Sequence, residues 1–244
     1  MDQGTIQAIG IAAVIIFLAV SAISPIARNV IANKAQNQFM AGDFEGLLKT
    51  LSSPMAGIAL PKFNQEFMRL NAYEASQNVE GVQQTLDKLL KLPASAEQRR
   101  ILLSRALNFY EGQNDEDRAT HVLELVDALP DQCKGEAVDL AKELRCDSHQ
   151  TFDIVFRGSY SHIAEMEHAL ASAEGDERAR LNYYLSLQYA NKGDEKRADE
   201  YLGRIAKAYG FERPAAADED EAGAAEGDAA EVDDTDSAKT GDAE

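Results

Sequence analysis

One spacing recurs four times in this chain and limits what it can fold into. An anchor residue is followed nine positions later by a small or branched apolar residue, and four after that by leucine. The sets are Gln38, Leu47, Leu51; Tyr73, Val82, Leu86; Tyr110, Ala119, Leu123; and Tyr189, Ala198, Leu202. In the first set the aromatic is displaced to Phe39. Successive anchors lie 35, 37 and 79 residues apart. The last interval is about twice the others, so a divergent copy is expected over Asp131 to Ala173.

The last copy shows what each unit should be. Leu181, Tyr184, Leu185 and Tyr189 recur at offsets of three and four, as do Ala198, Tyr201, Leu202, Ile205 and Tyr209. Each set therefore lies on one face of a helix. Between them, Gly193 supplies a helix C-cap and Asp194 an N-cap, and Gly42-Asp43 marks the same turn in the first copy. Pro54, Pro93 and Pro130 each follow a second helix, where proline halts one helix and starts the next turn. A hairpin of two such helices cannot bury both faces alone, so the copies are expected to stack. The divergent copy reads as helices around Glu136 to Arg145 and Ser161 to Ala171, with Asp147 to Tyr160 carrying both patterns. Thr151 to Phe156 is rich enough in branched and aromatic residues to be strand-like.

The anchor tyrosine, the small residue nine later, the large apolar residue beyond it and the proline closing the unit resemble the tetratricopeptide repeat, a 34-residue helix-turn-helix. The resemblance covers about Pro25 to Phe211 and is strongest over Gln98 to Pro130 and Leu181 to Gly210. The chain departs from that pattern: its periods are longer, Leu70 and Leu107 stand where a small residue is usual, and it has no tryptophan. A tetratricopeptide-like protein is thus the closer description. The resemblance implies an all-α fold over 25–213, a right-handed α-solenoid of about five helical hairpins. It also implies a concave groove, lined by the first helices, that takes an extended peptide or a partner's helix.

Ahead of the repeats, Gln3 to Ala27 holds no charged residue. A helix from Thr5 to Ser24 would rise roughly 30 Å, about the thickness of a hydrocarbon core. Residues 1–24 are therefore read as a transmembrane helix, in preference to a buried helix or a cleaved leader. Small residues at Val20-Ser21-Ala22 would suit cleavage, but Asp2 gives the leader region the wrong charge. Arg28 and Lys34 follow the span, so the positive-inside rule puts the repeats in the cytoplasm. Ser24-Pro25 reads as an N-cap and first helical residue, starting the first hairpin at the membrane face. Cys133 and Cys146, if on one helix, stand roughly 20 Å apart, beyond disulfide reach, and unpaired thiols suit a reducing compartment.

Residues 214–244 hold twelve acids and one cation, Lys239, for a net charge near −11; the whole chain is at −18, leaving −7 for residues 1–213. Without aromatics, this tail should not bury enough apolar area to order itself. It is expected to act as a disordered solubilising tail, or as bait for a basic partner. The charge argues against nucleic acid and anionic membrane surfaces as partners.

Carried over from the resembling family, the groove face would take Asn64, Phe67, Asn71 and Glu74 from one copy. Ile101, Ser104, Asn108 and Glu111 come from the next, and Arg180, Tyr183, Leu187 and Ala190 from the last. Asn71 and Asn108 share a register, and a side-chain amide there could bond a peptide backbone both ways. Lysines that would grip a terminal carboxylate are missing: Phe67 and Ser104 stand in their place. Glu165 and His168 have the spacing of a bundle metal-ligand pair, but no second Glu-x-x-His completes a site. No nucleophile or phosphate-loop motif is present. The expectation is a non-enzymatic, cofactor-free, single-pass membrane scaffold binding a protein or peptide in its groove. The alternative is an assembly or chaperone-like factor for exported proteins, using the same domain outside the cytoplasm.

Overall fold

The computed structural model describes residues 28–210, and the regular structure in them is entirely helical. The expected span at 5–24, the Ser24-Pro25 helix start and the acidic tail lie outside the described residues. Among those described, no helix is long and apolar enough to cross a membrane.

Twelve helices follow one another among the described residues. They are α1 (28–40), α2 (Phe44–Leu51), α3 (Pro54–Ala59), α4 (Lys62–Ala75), α5 (Val79–Leu89) and α6 (Ala96–Gly112). They continue with α7 (Glu116–Asp127), α8 (Leu129–Gln132), α9 (Ala137–Phe156), α10 (Ile163–Leu170), α11 (Gly175–Asn191) and α12 (Glu195–Ala208). Helices α4 with α5, α6 with α7 and α11 with α12 pair as hairpins. Helix α9 instead packs chiefly on α6, α7, α8 and α11, and α10 on α11, so the divergent copy expected over Asp131 to Ala173 is not a hairpin of the same kind.

Four of the inter-helix turns are built alike. Asp43, Asn78, Asp115 and Asp194 each cap the second helix, their side-chain oxygens accepting from the N–H three residues on, in Gly46, Gly81, Arg118 and Arg197. The residue before each cap, Gly42, Gln77, Asn114 or Gly193, has a positive φ of 53 to 83°. The cap N–H then reaches back to the carbonyl of the anchor residue: Gln38, Tyr73, Tyr110 and Tyr189 accept at 2.8–2.9 Å. This is the Schellman closure, in which a left-handed residue lets the chain satisfy the last carbonyls of one helix before the next begins. The four anchors therefore hold one structural position.

Leu47, Val82, Ala119 and Ala198 are all buried, as are Leu51, Leu86 and Leu123. Leu202 is 37% exposed, because no described helix follows its hairpin. Three apolar clusters result. The first joins α1 to α4 through Ile31, Ala35, Leu47, Leu51 and Ala72. The second runs from α4 to α9 and includes Phe63, Leu86, Leu103, Leu107, Tyr110 and Phe152. The third binds α9 to α12 through Ile154, Leu185, Tyr189 and Tyr201. Helices α4 and α9 each contribute to two clusters.

Three local expectations are corrected. Residues 147–160 hold no strand: Thr151 to Phe156 finishes the 20-residue α9. Thr151, Phe152 and Ile154 are buried on different sides of it, and a segment sunk on more than one face is served by a helix that satisfies its own backbone. Cys133 and Cys146 do not share a helix, since Cys133 closes α8 and α9 starts at Ala137. Finally, Pro54 and Pro130 do more than halt a helix; each stands in the first turn of a short extra one, α3 or α8. Those insertions lengthen the first and last intervals, whereas the 37-residue interval from Tyr73 to Tyr110 contains neither.

Candidate functional site

The first helices of the second and third hairpins, α4 and α6, present an open face side by side. Gln98 Nε2 donates to Asn64 Oδ1 at 3.3 Å, and Arg105 donates to Asn71 Oδ1 at 2.8 Å. Arg105 also pairs with Glu74, and its guanidinium lies 5.0 Å from the centroid of Phe67. Phe67 stacks on Phe63 at 5.8 Å. Between the polar pairs opens a mainly apolar cavity of about 350 Å³, walled by Phe63, Phe67, Met68 and Ile101 with Asn64 and Gln98 at the rim. Ser95 begins α6 with a capping box, its side chain taking the Gln98 N–H while Gln98 Oε1 takes the Ser95 N–H. That reciprocal pair fixes Gln98 against the rim.

Sequence register placed Asn64 level with Ile101 and Asn71 level with Asn108. The structure pairs each with the residue one turn earlier, Gln98 and Arg105, because α6 is staggered against α4 by about one turn. Phe63 and Met68, on α4 itself, lie outside the register carried over from the resembling family; Gln98 and Arg105 were missed because of the stagger. The 34-residue separation of both hydrogen-bonded pairs is the signal that finds them.

The remaining expected residues divide. Ser104, Asn108 and Arg180 line a second cavity of about 450 Å³ between α6, α9 and α11, together with Arg100, Glu143, Asp147 and Glu177. Arg180 is held by two 2.9 Å bonds to Glu177 and lies over the Tyr184 ring at 5.9 Å. Its charge opposes, without cancelling, the burial that raises the Asp147 carboxyl. Tyr183 is 40% exposed, Ala190 is exposed, and Leu187 packs against the third cluster.

Glu111 is not on an open face. It is 6% exposed, and its two oxygens accept from Thr151 Oγ1 at 2.7 Å and Tyr184 Oη at 2.8 Å. One carboxylate thus joins α6, α9 and α11. Burial raises its pKa above the ordinary carboxylate value, with the two hydroxyls and Arg180 pulling the other way. Burial beside this anion likewise pushes the Tyr184 phenol up. Because both oxygens are taken by hydroxyls of its own fold, Glu111 serves as a clasp between hairpins.

Glu165 is engaged locally, accepting from Gln150 Nε2 at 3.3 Å and lying 3.5 Å from His162 Nδ1. Among the described residues no group of three metal-ligating side chains converges.

Compared with known proteins, the chain matches no family model, no curated protein and no solved structure.

Proposed function

We propose that this chain is a non-enzymatic, membrane-anchored scaffold whose helical repeats, of the tetratricopeptide kind, dock a protein or peptide partner. The repeats of 25–213 form a right-handed solenoid in the cytoplasm, residues 5–24 hold them to the bilayer, and the α4/α6 face takes the partner. The observation that carries this reading is the pairing of an apolar cavity with a row of amides and a guanidinium along two parallel first helices. Phe67 and Ile101 offer a slot for one bulky apolar side chain. Asn64, Gln98 and Asn71 offer backbone-type donors and acceptors beside it. The uncharged stretch from Gln3 to Ala27 supports the anchor.

The test is affinity capture with the full chain extracted in mild detergent, wild type against a Phe67→Ala, Ile101→Ala variant with an unchanged circular dichroism spectrum. Loss of specific partners from the variant is expected. Equal recovery by both proteins would count against this face.

A further inference from the structure

The last hairpin ends in a cavity that partner docking on α4/α6 leaves unused. It encloses about 750 Å³ between the start of α11 and the end of α12, with Leu170 of α10 in its wall. Its charge is opposite to that of the molecule: Arg178, Arg204 and Lys207 line it against a single acid, Asp176, in a body where residues 1–213 carry −7. One further feature marks its wall. Asn182, also in the wall, is 4% exposed, and its buried Oδ1 has no hydrogen-bond partner, although its Nδ2 donates to Arg178 O at 2.7 Å. A buried acceptor of this kind is costly until a donor arrives.

We propose that this cavity is the docking site of the chain's own acidic tail. The run Asp218-Glu219-Asp220-Glu221 lies against Arg178, Arg204 and Lys207, and a tail backbone N–H entering beside Asn182 supplies the missing donor. Reach is sufficient: Asp218 follows the lining residue Tyr209 by nine positions, up to roughly 30 Å of extended chain. Covalent attachment holds the tail at an effective concentration on the order of millimolar, so an acidic segment of another protein competes at a disadvantage. The docked tail covers the unpartnered end of the stack with a polar surface, as the terminal unit of a repeat array requires.

Paramagnetic relaxation in the full chain, kept in detergent, tests this. A nitroxide is placed at Ala222→Cys in a Cys133→Ala, Cys146→Ser background. Docking is expected to broaden the amide signals of Arg178, Asn182 and Lys207 selectively. The effect should disappear in about 1 M salt, where the screening length falls to about 3 Å, and in a variant carrying Asp218→Asn, Glu219→Gln, Asp220→Asn and Glu221→Gln. Broadening that is absent, spread evenly over the surface, centred elsewhere, or unchanged by salt and by loss of the acids would overturn the proposal. The tail variant leaves the folded helices untouched, so a failure to fold does not confuse the result.

Discussion

The ring of Tyr73 lies against the backbone of Gly81: a Cβ on Gly81 would stand 2.4 Å from Cδ1 of the tyrosine. Gly81 occupies the third position of α5, where Arg118 and Arg197 stand in the later copies. There the arginine lies over the anchor ring instead, at 6.0 Å from Tyr110 and 5.1 Å from Tyr189. One register position thus settles how each anchor tyrosine is covered.

For Gly81→Ala, helix propensity alone argues for a gain of about 0.5–1 kcal/mol. The clash with the root of the ring argues for a loss of about 1–3 kcal/mol. The clash should win, leaving the variant less stable by about 1–2 kcal/mol in urea denaturation. Stability equal to or above wild type would show that Tyr73 moves aside freely.

Gln77 holds φ at 55° in a turn where two of its counterparts are glycine. Left-handed backbone costs a side-chain-bearing residue about 1–2 kcal/mol, partly offset by the greater freedom glycine has when unfolded. Gln77→Gly should therefore stabilise by about 0.5–1 kcal/mol, read as a shifted denaturation midpoint with an unchanged slope.

Glu111 should give the protein a pH dependence of defined sign. Its carboxyl is raised above the 4.5 of a free glutamate, chiefly by burial, so the folded state binds its proton more tightly than the unfolded state. The stabilisation from this linkage is complete below pH 4.5 and is lost as pH climbs through the raised value. Denaturation of wild type and Glu111→Gln at a series of pH values isolates the effect. The stability difference between them should shift in favour of the glutamine variant as pH rises above 4.5; a difference flat in pH would refute the account.

Topology can be read with the native thiols. Cys146 is exposed, whereas Cys133 is partly covered by the second cluster, so Cys146 is the better reporter. With the repeats in the cytoplasm, a membrane-impermeant maleimide should label Cys146 only after permeabilisation. Labelling in intact cells would place the domain on the other side.

Much of the helical plan was legible because apolar spacing reports burial directly. The register of Tyr73, Tyr110 and Tyr189 identifies positions that the structure makes equivalent. Two of the four turns were harder to see, since Gln77 and Asn114 adopt the left-handed backbone without being glycine. Asn78 and Asp115 were then the remaining markers, and polar residues of that kind are common on helix surfaces. The open face was half legible. The resemblance to the tetratricopeptide repeat implies Asn64, Phe67 and Asn71 for it, but the stagger that brings Gln98 and Arg105 to them is a property of packing between hairpins. Glu111 shows the same limit: its partners Thr151 and Tyr184 lie 40 and 73 residues away, beyond any local pattern.

Phe152 and Ile154 are two residues apart on α9 yet belong to different apolar clusters. The helix is therefore a party wall with a full room on either side. If α10 to α12 peel away, one side of that wall is left bare toward water while the other keeps its furnishing. Unravelling from this end should thus halt at α9 before spreading inward. Hydrogen exchange would register that halt as a step in protection between Ile154 and the helices that follow it.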